Sequence, residues 1–114
     1  MKKINRLKKR KEFFFIFSKG ENVSSKYIVL TFTKSKLKQY KVGFSVSKKI
    51  GNAVIRNKVK RRMREAVNFY RNNLTDKTNY IFVAKKGIET VPYTEIKQTI
   101  PTLLKRANLF KEIE

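Results

Sequence analysis

The stretch Val42-Gly43-Phe44-Ser45-Val46-Ser47-Lys48-Lys49-Ile50-Gly51-Asn52-Ala53-Val54-Ile55-Arg56-Asn57-Lys58-Val59-Lys60-Arg61-Arg62-Met63-Arg64-Glu65 reads as a strand, a turn and a helix in succession. Its first residues alternate, with Val42, Phe44 and Val46 on one face and the small Gly43, Ser45 and Ser47 on the other, the period of a half-buried strand. Gly51 interrupts the pattern, Asn52 is a good helix N-cap, and from residue 53 to about residue 72 there is neither Pro nor Gly. At about 100° per residue, Ile55, Val59, Met63, Ala66, Val67 and Tyr70 fall within one arc of about 120° and need a sheet to lie on. Arg56, Asn57, Lys60, Arg61, Arg64, Asn68 and Arg71 fall on the opposite side as a continuous ridge of donors. Arg62 stands nearer the apolar margin, where a guanidinium stem can run along the surface.

Residues 27–34 also alternate: Ile28, Leu30 and Phe32 share one face, and Tyr27, Val29, Thr31 and Thr33 share the other. This strand is expected to form a hairpin with residues 40–47 across a polar turn at 35–39. Phe13, Ile16 and Phe17 recur at helical spacing before Gly20, predicting a short first helix, and Val23 predicts a brief edge strand. Another strand is expected at 80–85. A last helix at about 94–108 carries Ile96, Ile100, Leu103, Leu104 and Ala107 on one stripe. Pro101 inside it removes a backbone hydrogen bond and clashes with the preceding turn at about 3 kcal/mol, so a kink or break is expected there. Two helices on a small mixed sheet, with a third at its edge, make an α/β (α+β) sandwich.

A chain of 114 residues suits one domain, 1–114, with residues 1–9 as a basic, largely extended arm. A hydrophobic fraction of 40%, with nine Phe and five Tyr, is enough for a core, whereas disordered basic tails are poor in aromatics. Charge dominates the rest: 29 Lys and Arg against 8 Asp and Glu give +21, without any His. That much positive charge on a small surface calls for a polyanion. A membrane span is excluded by an apolar run of only five residues, 13–17, where about 20 are needed. The opening Met1-Lys2-Lys3-Ile4-Asn5-Arg6 begins like an export signal, but charged residues 8–12 stand where an apolar segment should follow. With no Cys for disulfides or thiolate metal sites, the cytoplasm is the expected location.

Basic helix faces are ordinarily just solvated, and they ordinarily mix signs, because an acid four residues from a base adds a few tenths of a kcal/mol. Here no carboxylate occurs between Glu21 and Glu65. Arg56 with Lys60, and Lys60 with Arg64, repel at i,i+4, a pattern that makes sense if phosphates neutralise it. Arg offers a planar fork to phosphate oxygens and Asn57 both donates and accepts. A DNA groove fits the spacing as well, although no helix-turn-helix pair or heptad repeat accompanies it. Phe14, Ile16, Phe32 and Phe44 read as core. Phe13, Phe17 and Tyr27 suit either the core or base stacking in a basic groove, and Phe15 points away from Phe13 and Phe17. The eight carboxylates form no metal-ligand motif, and neither a phosphate loop nor a nucleophile elbow is present, so no catalytic residue is expected.

The opening stretch closely resembles the bacterial ribonuclease P protein component. The likeness extends through Asn5-Arg6-Leu7, Glu12-Phe13, Phe17, Gly20, residues 80–85 and the last helix. It implies a two-layer sandwich like domain 2 of ribosomal protein S5, with a four-stranded mixed sheet, three helices and a left-handed βαβ crossover, against the usual hand. It also implies an accessory role in an endoribonuclease whose RNA subunit carries the chemistry with Mg2+. The protein itself would bind no cofactor, and one protein would sit on each RNA. By that resemblance Lys48, Lys49, Asn52, Ala53, Arg56, Asn57, Lys58, Lys60, Arg61 and Arg64 meet the catalytic RNA. The family's Arg-Asn-Arg motif ends in Lys58 here, which keeps charge and loses the fork. A cleft with Phe13, Phe17, Tyr27 and Thr31 would receive the 5′ leader of precursor tRNA, and Thr31 stands where the family has an aromatic.

Overall fold

Residues 78–84 are apolar at successive positions, Tyr80, Ile81, Phe82 and Val83, and such a strand must be covered on both faces. In a computed structural model, which describes residues 5–113, it takes the interior of the sheet. The elements are α1 (Arg10–Lys19), β1 (Glu21–Ser24), β2 (Ile28–Lys34), β3 (Lys41–Ser45), α2 (Ala53–Phe69), β4 (Thr78–Ala84) and α3 (Tyr93–Arg106). Short 3-10 turns lie at Lys48–Ile50, Arg71–Asn73 and Ile88–Thr90. Strand order is β1-β2-β4-β3. The β2/β4 pair is antiparallel, with Leu30 opposite Phe82, and the β3/β4 pair is parallel, with Phe44 opposite Phe82.

The expected hairpin between β2 and β3 is therefore not made, because β4 stands between them. Doubly apolar β4 takes the interior, while β3, small on its second face at Gly43 and Ser45, goes outside it. A parallel pair needs a long connection, and α2 supplies it. This is the crossover whose left hand the resemblance implies.

The main core lies between one sheet face and two helices. Leu30, Val42, Phe44, Tyr80 and Phe82 meet Val59, Met63, Ala66 and Val67 of α2 and Ile96, Ile100, Leu103 and Leu104 of α3. Phe82 stacks with both Phe44 and Tyr80, at centroid distances of 6.0 and 6.3 Å. Burial pushes the Tyr80 phenol pKa up, and its hydroxyl accepts from the Thr75 amide at 2.9 Å. Pro101 does not break α3, which is helical from Tyr93 to Arg106. Ile96 and Ile100 before or at the distorted turn, and Leu103 and Leu104 after it, are all buried, and together their burial outweighs about 3 kcal/mol.

A smaller cluster of Leu7, Ile16 and Ile81, flanked by Phe13 and Val83, lies on the other sheet face. Helix α1 thus lies across β2 and β4 rather than at the edge, since Ile81 and Val83 need cover on that side. Its entry is fixed by Glu12, which accepts from the Lys9 amide at 3.2 Å and pairs with Lys41 at 3.4 Å. Burial alone would raise this carboxyl's pKa; those hydrogen bonds and the Lys41 charge hold it below the usual value.

Where described, the arm is extended and tied to β3. The Leu7 amide donates to the Val42 carbonyl at 2.9 Å and the Val42 amide to the Asn5 carbonyl at 2.7 Å. The first four residues of the expected arm, and residue 114, lie outside the described residues. No helix among the described residues is long and apolar enough to cross a membrane.

Candidate nucleic-acid interface

Helix α2 begins where the sequence places it: the Asn52 side chain accepts from the Ile55 amide at 3.0 Å. Just before it, buried Ile50 pins the Lys48–Ile50 turn, so Lys48 and Lys49 stand exposed beside the helix start. Ile55, expected on the sheet-facing arc, is 37% exposed. Its side chain folds back on Gly51, where an added Cβ would lie 3.0 Å from it. The Lys48 turn and α2 are thereby packed into one surface.

Asn52, Ala53, Asn57, Lys58 and Arg61 are exposed, whereas Arg56, Lys60 and Arg64 are half-buried along one flank. Among the described residues the ion pairs are Lys41 with Glu12 and Lys86 with Glu89, neither of them on α2. The ridge therefore carries its charge without a carboxylate partner within salt-bridge distance. Its long stems are partly packed, which lowers the entropy lost when a ligand fixes the charged ends.

On the other sheet face α1 presents its aromatics in a fixed order. Ile16 points into the sheet and is buried; at about 100° per residue, Glu12 and Phe15 fall to one side of it, Phe13 and Phe17 to the other, and Phe14 outward. Phe14, expected in the core, is 76% exposed, because α1 buries a single row of side chains on a sheet already filled by Ile81. Phe13 is half-buried over Gly43, and Phe17 is exposed.

The other two residues expected with them are placed elsewhere. Thr31 is 3% exposed, with its hydroxyl donating to Asn22 Oδ1 at 2.6 Å and its methyl beneath Gly20. Tyr27 packs against the main core and beside Gly87, with the Lys26 ammonium 5.4 Å from its ring.

The ridge and the aromatic helix meet at β3. A cavity of about 390 Å³ is lined by Arg6, Leu7, Lys8, Phe13, Gly43, Phe44 and Lys60, so a cation of α2 and an aromatic of α1 share one hollow. Sequence reading missed Gly43 as a site residue, although a glycine in an alternating strand signals a close approach. An added Cβ would stand 2.5 and 2.7 Å from carbons of the Phe13 ring. Gly43→Ala should displace that ring, lowering stability by about 1–3 kcal/mol. Thermal melting should show the loss, and amide exchange should rise in α1 while α2 stays protected.

Among the described residues no three His, Asp or Glu side chains gather into a group that could hold a metal ion. Fold and surface define a class: a small α+β protein with an unpaired cationic helix on one side of a mixed sheet and a half-exposed aromatic helix on the other. The ribonuclease P family model matches residues 1–108, and the chain belongs to the family of ribonuclease P protein components. It is 35% identical over 112 residues to the ribonuclease P protein component of Streptococcus pneumoniae, covering 98% of this chain and 91% of that one. The structure of the Staphylococcus aureus RNase P protein superimposes with a TM-score of 0.85 at 32% identity, over 96% of this chain and all of the other. The Thermotoga maritima RNase P protein gives 0.81 at 27% identity, over 90% and 96% of the two chains. The neighbours share the expected α+β fold.

Proposed function

We propose that the chain is the protein subunit of a cytoplasmic ribonucleoprotein that removes the 5′ leader of precursor tRNA, one protein serving each catalytic RNA. The Lys48 turn and α2, through Lys48, Lys49, Asn52, Ala53, Arg56, Asn57, Lys58, Lys60, Arg61 and Arg64, hold the catalytic RNA. The Phe13 and Phe17 flank of α1 takes the single-stranded leader, which raises affinity for precursor over mature tRNA. Thr31 supports the end of α1 and Tyr27 the end of β2. Chemistry belongs to the RNA with its Mg2+; the protein lowers repulsion between the two RNAs.

The observation that carries this reading is that, among the described residues, no basic side chain of α2 is paired with a carboxylate, in a chain of net charge +21. Single-turnover cleavage of precursor tRNA by the catalytic RNA at low Mg2+ tests it. Adding the protein should accelerate leader removal, and protein alone should leave the precursor intact. Cleavage by the protein alone, or no acceleration, overturns the assignment.

A further inference from the structure

The flank of α1 opposite Phe13 and Phe17 has a groove of its own. Between α1 and the Asn79 end of β4 runs a hollow of about 250 Å³, with Lys11, Glu12, Phe15 and Asn79 in its wall. Glu12 is also part of the wall of a second cavity of about 590 Å³, enclosed by the arm and the loop before β3. Both lie near the range of small-ligand sites, and Glu12 stands in the wall of each.

Charge in the groove is one-sided. Arg6, Lys8, Lys9, Lys38 and Lys41 line the larger cavity and Lys11 the smaller, against Glu12 as the one carboxylate. Glu12 is already engaged by the Lys9 amide and by Lys41. Five cations thus face a hollow whose acid neutralises a sixth. Phe15, 56% exposed, forms the apolar wall. A lone exposed Phe is unremarkable, but an exposed ring beside a cluster of cations has the two ingredients that grip unstacked nucleotides. Asn79, whose amide nitrogen donates to Thr33 Oγ1 at 3.3 Å, has a carbonyl oxygen and a second N–H left for a base edge.

We propose that this second groove binds a single-stranded RNA segment, with its phosphates on Lys9 and Lys38 and a base stacked on Phe15, distinct from whatever occupies the Phe13 and Phe17 flank; Arg6 and Lys8 stand in the walls of both hollows. Helix α1 is then a partition with a strand on either side. Duplex is a poor ligand here, because its bases are already stacked and present no free face to Phe15.

The site needs neither catalytic RNA nor a cleavage reaction, so its failure is separable from failure of the assigned function. Titrate the full chain with a five-nucleotide single-stranded RNA at fixed ionic strength and measure stoichiometry and affinity. The unmodified chain should bind two equivalents. Phe15→Ala, which removes an exposed ring, should weaken one of them about tenfold and spare the other. Phe17→Ala should do the reverse, and Lys9→Ala with Lys38→Ala should act on the same equivalent as Phe15→Ala. A 4-thiouridine-containing strand should cross-link to peptides holding Phe15 and Lys38. Overturning results are one equivalent lost only through Phe17→Ala, no greater effect of Phe15→Ala than of Phe14→Ala, or equal sensitivity to Phe15→Ala with a duplex of the same sequence.

Discussion

Replacing Arg56, Lys60 and Arg64 together by Ala should abolish the protein's acceleration of leader removal while leaving the chain folded. The three side chains form one flank of α2, half-buried and without carboxylate partners, so each charge is available to a phosphate. A hydrogen bond to a charged group contributes about 1.5 kcal/mol or more, so three lost contacts should weaken binding of the catalytic RNA about a thousandfold or more. The salt dependence identifies the cause: each phosphate contact removed should lower the logarithmic slope by about 1, or about 3 in all. Stability should hold, because the substitutions relieve the i,i+4 repulsion and introduce the best helix former, offsetting the packing lost with the stems. Affinity measured across a salt series, beside circular dichroism melting, checks both halves. An unchanged slope would mean these residues meet no phosphate.

How much of this was legible in the sequence depends on whether the information was local. The Asn52 cap, the strand expected at 27–34 and formed at 28–34, and the buried stripe Val59, Met63, Ala66 and Val67 follow from spacing alone. Strand order did not follow, because a polar turn at 35–39 suits a hairpin as well as a strand that passes its neighbour by. The signal that decided it, apolar residues on both faces of β4, lies about 40 residues away. Phe14 misled for a similar reason. Its composition says core, but only the Ile16 row of α1 meets the sheet, and which row that is depends on Ile81. Among the expected leader residues, Phe13 and Phe17 are together on one flank, while Thr31 is spent on docking Gly20. Pairwise closeness across the sheet, as between Gly43 and Phe13, has no trace in spacing beyond the glycine itself.

Phe82→Ala should cost about 3–5 kcal/mol, because Phe82 is fully buried at the centre of β4 and its ring stacks with both Phe44 and Tyr80. A domain of this kind has about 5–15 kcal/mol in total, so the melting temperature should fall by roughly 15 °C and part of the population should unfold at 37 °C. The surface that carries the proposed RNA contacts is untouched. A ligand that binds only the folded form at a thousand times its Kd restores about 4 kcal/mol, so saturating catalytic RNA should return much of the lost melting temperature. The triple variant should show the opposite behaviour, melting normally alone and gaining little from RNA. Salt separates two origins of stability in the Phe82→Ala chain. Screening should raise its melting temperature without RNA, since a net charge of +21 repels itself, and should diminish the increment that RNA adds. If salt moved both in the same direction, the increment would not come from phosphate contacts, and the cationic ridge would have another purpose.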